Sequence, residues 1–190
     1  MSATSAPFGM RPAFHPSGLD RAQALTNGIA SGLASNILKG QPVKYNASNG
    51  NITPVTSTEA FAGAFDGVEF TDTTGRRRVS NYWPSGTTGT NIIAYFYNDP
   101  LIVYEIQTDA TVAQTSIGNE ANFSNLTAGS TTTGLSQCTL SASLVGNGVQ
   151  GQMRIVDIAP YPDNAWGDAY VIVRATVANS QFNGAFTAIA

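Results

Sequence analysis

Charge is what this chain has least of. Asp, Glu, Lys and Arg make up 11% of its 190 residues, less than half the share in an ordinary soluble domain. Lysine occurs only at Lys39 and Lys44, and the formal net charge is −3. Binding to nucleic acid rests on many basic groups neutralising phosphates, and attraction to an anionic membrane rests on polybasic clusters. Neither footprint is present, so no nucleic-acid and no membrane partner is expected. With so little charge, hydroxyls and amides keep the surface in water. That composition suits burial against neighbours in an assembly.

Reactive side chains are equally scarce. The one histidine, His15, stands between Phe14 and Pro16 in a proline-rich stretch, without the rigid surroundings that hold a general base within reach of its substrate. The one cysteine, Cys138, has no partner for an internal disulfide and falls on the apolar side of its segment, where a small hydrophobe belongs. One Cys and one His do not complete a zinc site without two carboxylates. Glycine-rich phosphate-binding fingerprints are absent. The four Glu lie in strand or turn segments, so Trp83 and Trp166 are expected to pack, not to stack on a sugar beside a catalytic acid pair. No catalytic residue, metal or cofactor is expected, and the chain is not read as an enzyme. No apolar run approaches the ~20 residues of a spanning helix. MSATSAPFGM lacks a basic region followed by an apolar one, so synthesis in a reducing cytosol is expected.

What is present is strand and turn chemistry. Pro7, Pro12 and Pro16 punctuate the start, each removing a backbone donor and favouring extended geometry in its predecessor. Residues 1–40 are therefore expected to form an extended N-terminal arm and linker without a core of its own. Phe8, Met10 and Phe14 on that arm must dock on the body or on a neighbour. Residues 41–190 form the body. There QPVKYN and NITPV flank an Asn-Gly turn, AGAFDGVEFTD and RRRVSNYW flank TTG, and TNIIAYFYN and LIVYEIQT part at Asn98-Asp99-Pro100. The last two segments are apolar on both faces, which places both in the core or beneath a subunit interface. Strict alternation follows: Cys138, Leu140, Ala142 and Leu144 share one face, and Val171, Val173, Ala175 and Val177 share another. Nine or ten short strands without a three-turn amphipathic helix predict an all-β fold, an antiparallel β-sandwich or barrel of jelly-roll type.

Two clusters invite a functional reading. YPDNAWGDAYVIVRATV sets Asp163, Asn164 and Asp168 ahead of a β-branched run, with Asp157 just upstream. Calcium takes six to eight oxygens from such loops, but the spacing departs from the EF-hand pattern. Pro160, Pro162, Asn164 and Gly167 are what a compact turn requires, so a turn is expected and calcium is the alternative. The run Arg76-Arg77-Arg78 is the densest charge in the chain. On a strand its side chains split between two faces, which fits a solvated hairpin end guarding a sheet edge. The other use of such a run is docking on an acidic partner surface.

Five stretches occur in order: PFGMRP (7–12), NDPLIVYEIQTDA (98–110), SIGNEANF (116–123), RIVDIAP (154–160) and DNAWGDAYVIV (163–173). Together they resemble the head decoration, or cement, proteins of tailed-bacteriophage virions. The resemblance implies a non-enzymatic structural protein, made in the bacterial host's cytoplasm. It would sit on the outer face of the capsid, commonly as a homotrimer, with the major capsid protein as partner and head stabilisation as its role. The residues expected to meet the capsid are Phe8, Met10, Arg11, Phe14 and His15 of the arm, with Arg76, Arg77 and Arg78. A receptor- or glycan-binding virion component, such as a fibre domain, is the alternative.

Overall fold

The computed structural model describes residues 2–18 and 21–182. Those residues form strands, turns and a single 3-10 turn at Gln114–Ser116, with no α-helix among them. The protein is all-β, as the alternation predicts, and its antiparallel sheets pack against one another. The described part of residues 1–40 does not stand apart from these sheets, because β1 (Arg11–Phe14) and β2 (Gln23–Thr26) each form the margin of one.

In the first sheet β1 lies beside β8 (Val103–Gln107), followed in space by β14 (Ile172–Val177), β13 (Met153–Ile158), β9 (Glu120–Ser124) and β12 (Thr139–Leu144). In the second, β2 lies beside β7 (Gly89–Tyr97), then β5 (Gly63–Asp72), β3 (Pro42–Tyr45) and β4 (Ile52–Pro54), with β6 (Arg77–Ser80) paired to the other half of β5. A small ladder joins β10 (Gly129–Ser130) to β11 (Leu135–Ser136).

The period-two pattern explains which face each strand buries. Val171, Val173, Ala175 and Val177 point inward beside Tyr104, Ile106, Leu140, Met153 and Ile155, and Cys138 joins them as a small hydrophobe. Each large apolar side chain withdrawn from water this way contributes roughly 1.5–3 kcal/mol. The same core takes in Val55, Phe61 and Ala64 from beside and within the second sheet. Phe61 meets Phe123 edge to face, with ring centres 5.1 Å apart, and this contact ties one sheet to the other. A second core under β3, β5 and β7 gathers Val43, Phe65, Val68, Ile92 and Phe96 around Trp83, whose ring stands edge-on to Phe70 at 5.0 Å.

Close strand approach also shapes the sequence. At Gly63 an added Cβ would lie 1.6 Å from the carbonyl oxygen of Tyr97, so no side chain fits where β5 crosses the end of β7. The first sheet curls until β12 returns to the end of β8. There Thr108 bridges Leu140 in parallel, the Asp109 N–H donates to Leu140 O at 2.9 Å, and the Ala142 N–H donates to the Asp109 carboxylate at 2.8 Å.

TNIIAYFYN and LIVYEIQT are expected in the core or beneath a subunit interface, and within the chain only β8 is buried at all five positions. β7 alternates, with Ile92, Ala94 and Phe96 buried and Ile93, Tyr95 and Tyr97 half-buried. The cover on the outer face of β8 is the chain's own N-terminal segment.

Candidate functional site

The first sheet turns Tyr104 and Ile106 of β8 into the core and sends Glu105 and Gln107 to the opposite face, where they are nevertheless only 6% and 1% exposed. The residues preceding β1 close over them. Gln107 accepts the Ala6 N–H at 2.8 Å and donates to the carbonyls of Thr4 at 3.1 Å and Tyr170 at 3.2 Å. An extended segment needs its backbone groups satisfied, and one buried amide does this for residues on both sides of the seam.

Glu105 is the centre of a compact charge network. It accepts from the Arg11 guanidinium at 2.7 Å and from the Tyr161 hydroxyl at 2.6 Å, and Arg174 Nε lies 3.5 Å away. Burial pushes the Glu105 carboxyl upward, but the hydrogen bonds from Tyr161 and Arg11 and the charges of Arg11 and Arg174 outweigh it, so its pKa is lowered. Its hydrogen bond to Tyr161 raises the phenol's pKa in turn. Three aromatic rings cover the cations: Arg11 lies over Phe8 at 4.6 Å and Tyr161 at 5.9 Å, and Arg174 over Phe14 at 5.4 Å.

The loop before β14 receives the very start of the described chain. The Ser2 N–H donates to the Asp163 carbonyl at 3.3 Å and its hydroxyl to the Asp168 carboxylate, while its own carbonyl accepts the Tyr170 N–H at 2.7 Å. The hydrogen bond from Ser2, with that from the Ala165 N–H, lowers the pKa of Asp168. Asn164 extends the ladder with its side chain, donating to the carbonyls of Ala159 and Ile172 at 2.8 Å each and accepting the Ile172 N–H at 3.0 Å. Trp166 is half-buried against the first core. Asp157 accepts its neighbour Ile158's N–H at 2.8 Å. No cluster of three or more metal-ligating side chains occurs among the described residues.

His15 is buried at 9% exposure. Its Nδ1 accepts the Ser17 N–H at 3.0 Å, which places the neutral ring's proton on Nε2, 3.1 Å from the Asp99 carboxylate. The ring thereby sits between the end of β1 and the β7–β8 turn. Cys138 is deeply buried, and that burial raises its thiol pKa far above the ordinary range, opposite to the shift of a reactive cysteine.

The eight residues expected at a partner surface therefore divide. Phe8, Arg11 and Phe14 meet around Glu105. Met10 is 1% exposed in the first core, and His15 is buried beside Asp99. The arginine run lies on the second sheet: Arg77 pairs with Glu69 at 2.6 Å, and Arg78 pairs with Asp72 at 2.8 Å. Arg76 sits in the exposed turn between β5 and β6. Sequence reasoning missed Glu105, Gln107, Tyr161, Arg174 and Ser2. The signal available was Glu105 itself, a lone acid inside LIVYEIQ, because an acid within a buried strand requires basic and hydroxyl partners.

No protein-family model, no curated protein and no solved structure matches this chain. Among the described residues no helix is long and apolar enough to cross a membrane.

Proposed function

We propose that this protein is a structural virion component that binds the outer surface of a tailed-phage capsid as a decoration, or cement, protein and stabilises the head. One observation carries the reading. The five stretches behind the resemblance are scattered over residues 7–173, yet each reaches the first sheet: they hold β8 whole, most of β9 and β13, and two residues each of β1 and β14. A likeness assembled by chance from composition has no reason to gather on one sheet. The N-terminal segment supports the same reading, since it is fastened by Gln107 and Glu105 and presents Phe14, 43% exposed, at the sheet's margin.

The proposed partner is the major capsid protein, with the decoration protein acting as a homotrimer. Repetition over a symmetric shell multiplies weak contacts, so a modest area per copy suffices. Phe14 and Arg76 are two of the exposed contact residues in this proposal.

Cosedimentation of the purified protein with phage heads tests it. Saturable binding is expected, with heads that withstand heating better when decorated and a trimer mass by light scattering. Phe14→Ala and Arg76→Glu should weaken binding without unfolding the protein. Failure to bind heads, together with affinity for cell-surface polysaccharide, would replace this reading with that of a glycan-binding virion component.

A further inference from the structure

Beside the N-terminal segment, elements of both sheets and of the small ladder enclose an apolar hollow of about 240 Å³. Met10 and Pro12 line it from that segment, Phe65 from β5 and Leu135 from β11. Its walls are tied to one another through the backbone. The Met10 N–H donates to the Gly40 carbonyl at 2.8 Å, the Gly40 N–H to that of Phe65 at 2.7 Å, and the Ser136 N–H to that of Lys39 at 2.9 Å. An added Cβ at Gly9 would lie 2.6 Å from the Gly40 oxygen, so the segment runs here as close as backbone allows. The hollow is therefore built into the fold, and it opens to solvent beside Leu135, which is 42% exposed.

Two cations stand at its mouth. Arg11 and Lys39 both line it, with side chains 51% and 47% exposed. Arg11 makes its hydrogen bonds to Glu105 and Tyr161 from one nitrogen, Nη2, which leaves Nη1 and Nε as donors with no partner among the described residues. Phe8 stacks against the guanidinium and steadies it. Lys39 pairs with Asp66 at 2.7 Å and keeps further ammonium donors in water. Around the mouth Arg11, Arg174 and Lys39 face Glu105 and Asp66, three cations against two carboxylates on a chain whose net charge is −3.

We infer that this hollow receives one large apolar side chain of a partner polypeptide, with an Asp or Glu next to it in the partner's sequence meeting Arg11 and Lys39. Sites for free small molecules run to ~300–1,000 Å³, and this one is smaller, suited to a single anchoring side chain. A few such anchors carry most of the energy of a protein interface, and charges at the rim select the partner. The inference goes beyond the capsid reading, since it fixes the chemistry of the segment that docks, and it leaves Phe14 exposed for its own contact.

Three short peptides titrated into the full-length protein test it, with the backbone amide signals followed by NMR: acetyl-Gly-Ser-Phe-Asp-Ser-Gly-amide and its Phe-Asn and Ala-Asp counterparts. Shifts should gather at Lys39, Gly40 and Leu135. The Phe-Asp peptide should bind about tenfold more tightly than the Ala-Asp peptide, and about threefold more tightly than the Phe-Asn peptide, the range of a solvent-exposed ion pair. Lys39→Glu, a change at a half-exposed side chain, should reverse the order of Phe-Asp and Phe-Asn. No saturable shift at millimolar Phe-Asp peptide, shifts centred away from the hollow, equal affinity for Phe-Asp and either counterpart, or a preference unchanged by Lys39→Glu would overturn the assignment.

Discussion

Asn164 offers the sharpest test of how the loop before β14 is built. Replacing it with Ala removes three hydrogen bonds at once, to the Ala159 carbonyl, the Ile172 carbonyl and the Ile172 N–H. Each is worth about 0.5–1.5 kcal/mol net. Water reaches this half-buried site and re-solvates part of what is lost, so Asn164→Ala should cost about 2–3 kcal/mol. Urea unfolding at pH 7 reads this as a lower midpoint with an unchanged slope, since the surface exposed on unfolding stays nearly the same. Asn164→Asp separates the parts of the effect. It keeps the acceptor for Ile172 but turns a second carboxylate oxygen toward two carbonyls, a setting that raises a carboxyl's folded pKa above its unfolded value near 3.9. A raised folded pKa gives stability that is present at low pH and lost as pH rises through that value. The Asp variant should therefore lie closer to the native protein at pH 4 than at pH 7. A loss below about 0.5 kcal/mol for the Ala variant would refute the view that this side chain completes the ladder.

Four further outcomes follow from the same contacts. Met10→Ala should cost about 2–5 kcal/mol as a cavity in the first core, while Phe14→Ala stays under about 1 kcal/mol, both by chemical denaturation. Gly63→Ala should destabilise by more than about 2 kcal/mol, because its Cβ meets the Tyr97 carbonyl oxygen; a neutral outcome would mean that β5 and β7 can separate at no cost. Glu105→Gln should cost about 2 kcal/mol at pH 7 through weakened charge-assisted hydrogen bonds. Because the folded pKa of Glu105 is lowered, its contribution is present above its unfolded value near 4.3 and fades as pH falls through the folded one; the variant's midpoints should thus converge on the native ones below about pH 4. Millimolar calcium should leave the thermal midpoint unchanged, whereas a rise that Asp168→Ala abolishes would establish an ion site in the 161–170 loop.

The strands were legible in the sequence where one face is dry and the other wet. Val171 to Val177 and Cys138 to Leu144 alternate because they line one core, and the Asn98-Asp99-Pro100 turn falls between β7 and β8. The 161–170 loop was legible as a turn, since its prolines, Asn164 and Gly167 act locally. Contacts between residues far apart in sequence were not. Nothing near Glu105 announces that Arg11, Tyr161 and Arg174 will converge on it, and nothing near Ser2 names Asp168 as its partner. β7 is less buried within the chain than its sequence suggests, for a different reason. Ile93, Tyr95 and Tyr97 make its outer face read as apolar, yet a tyrosine hydroxyl can stay wet, as at Tyr95, which hydrogen-bonds Glu69.

The seating of the N-terminal segment sets an order of events during synthesis. Ser2 binds a residue 166 positions later, and Ala6 one 101 positions later. At ~5–20 residues per second on the ribosome, about 10–30 s separate the emergence of the first segment from that of its last partner. Through that interval Met10 has no core to enter, and once β8 has emerged it stays uncovered until the segment closes over it. Two chains growing side by side could therefore exchange their first segments before either one seals, each finishing the other's sheet. Such an exchanged pair would be held by the same hydrogen bonds as the single chain and would come apart only by unfolding.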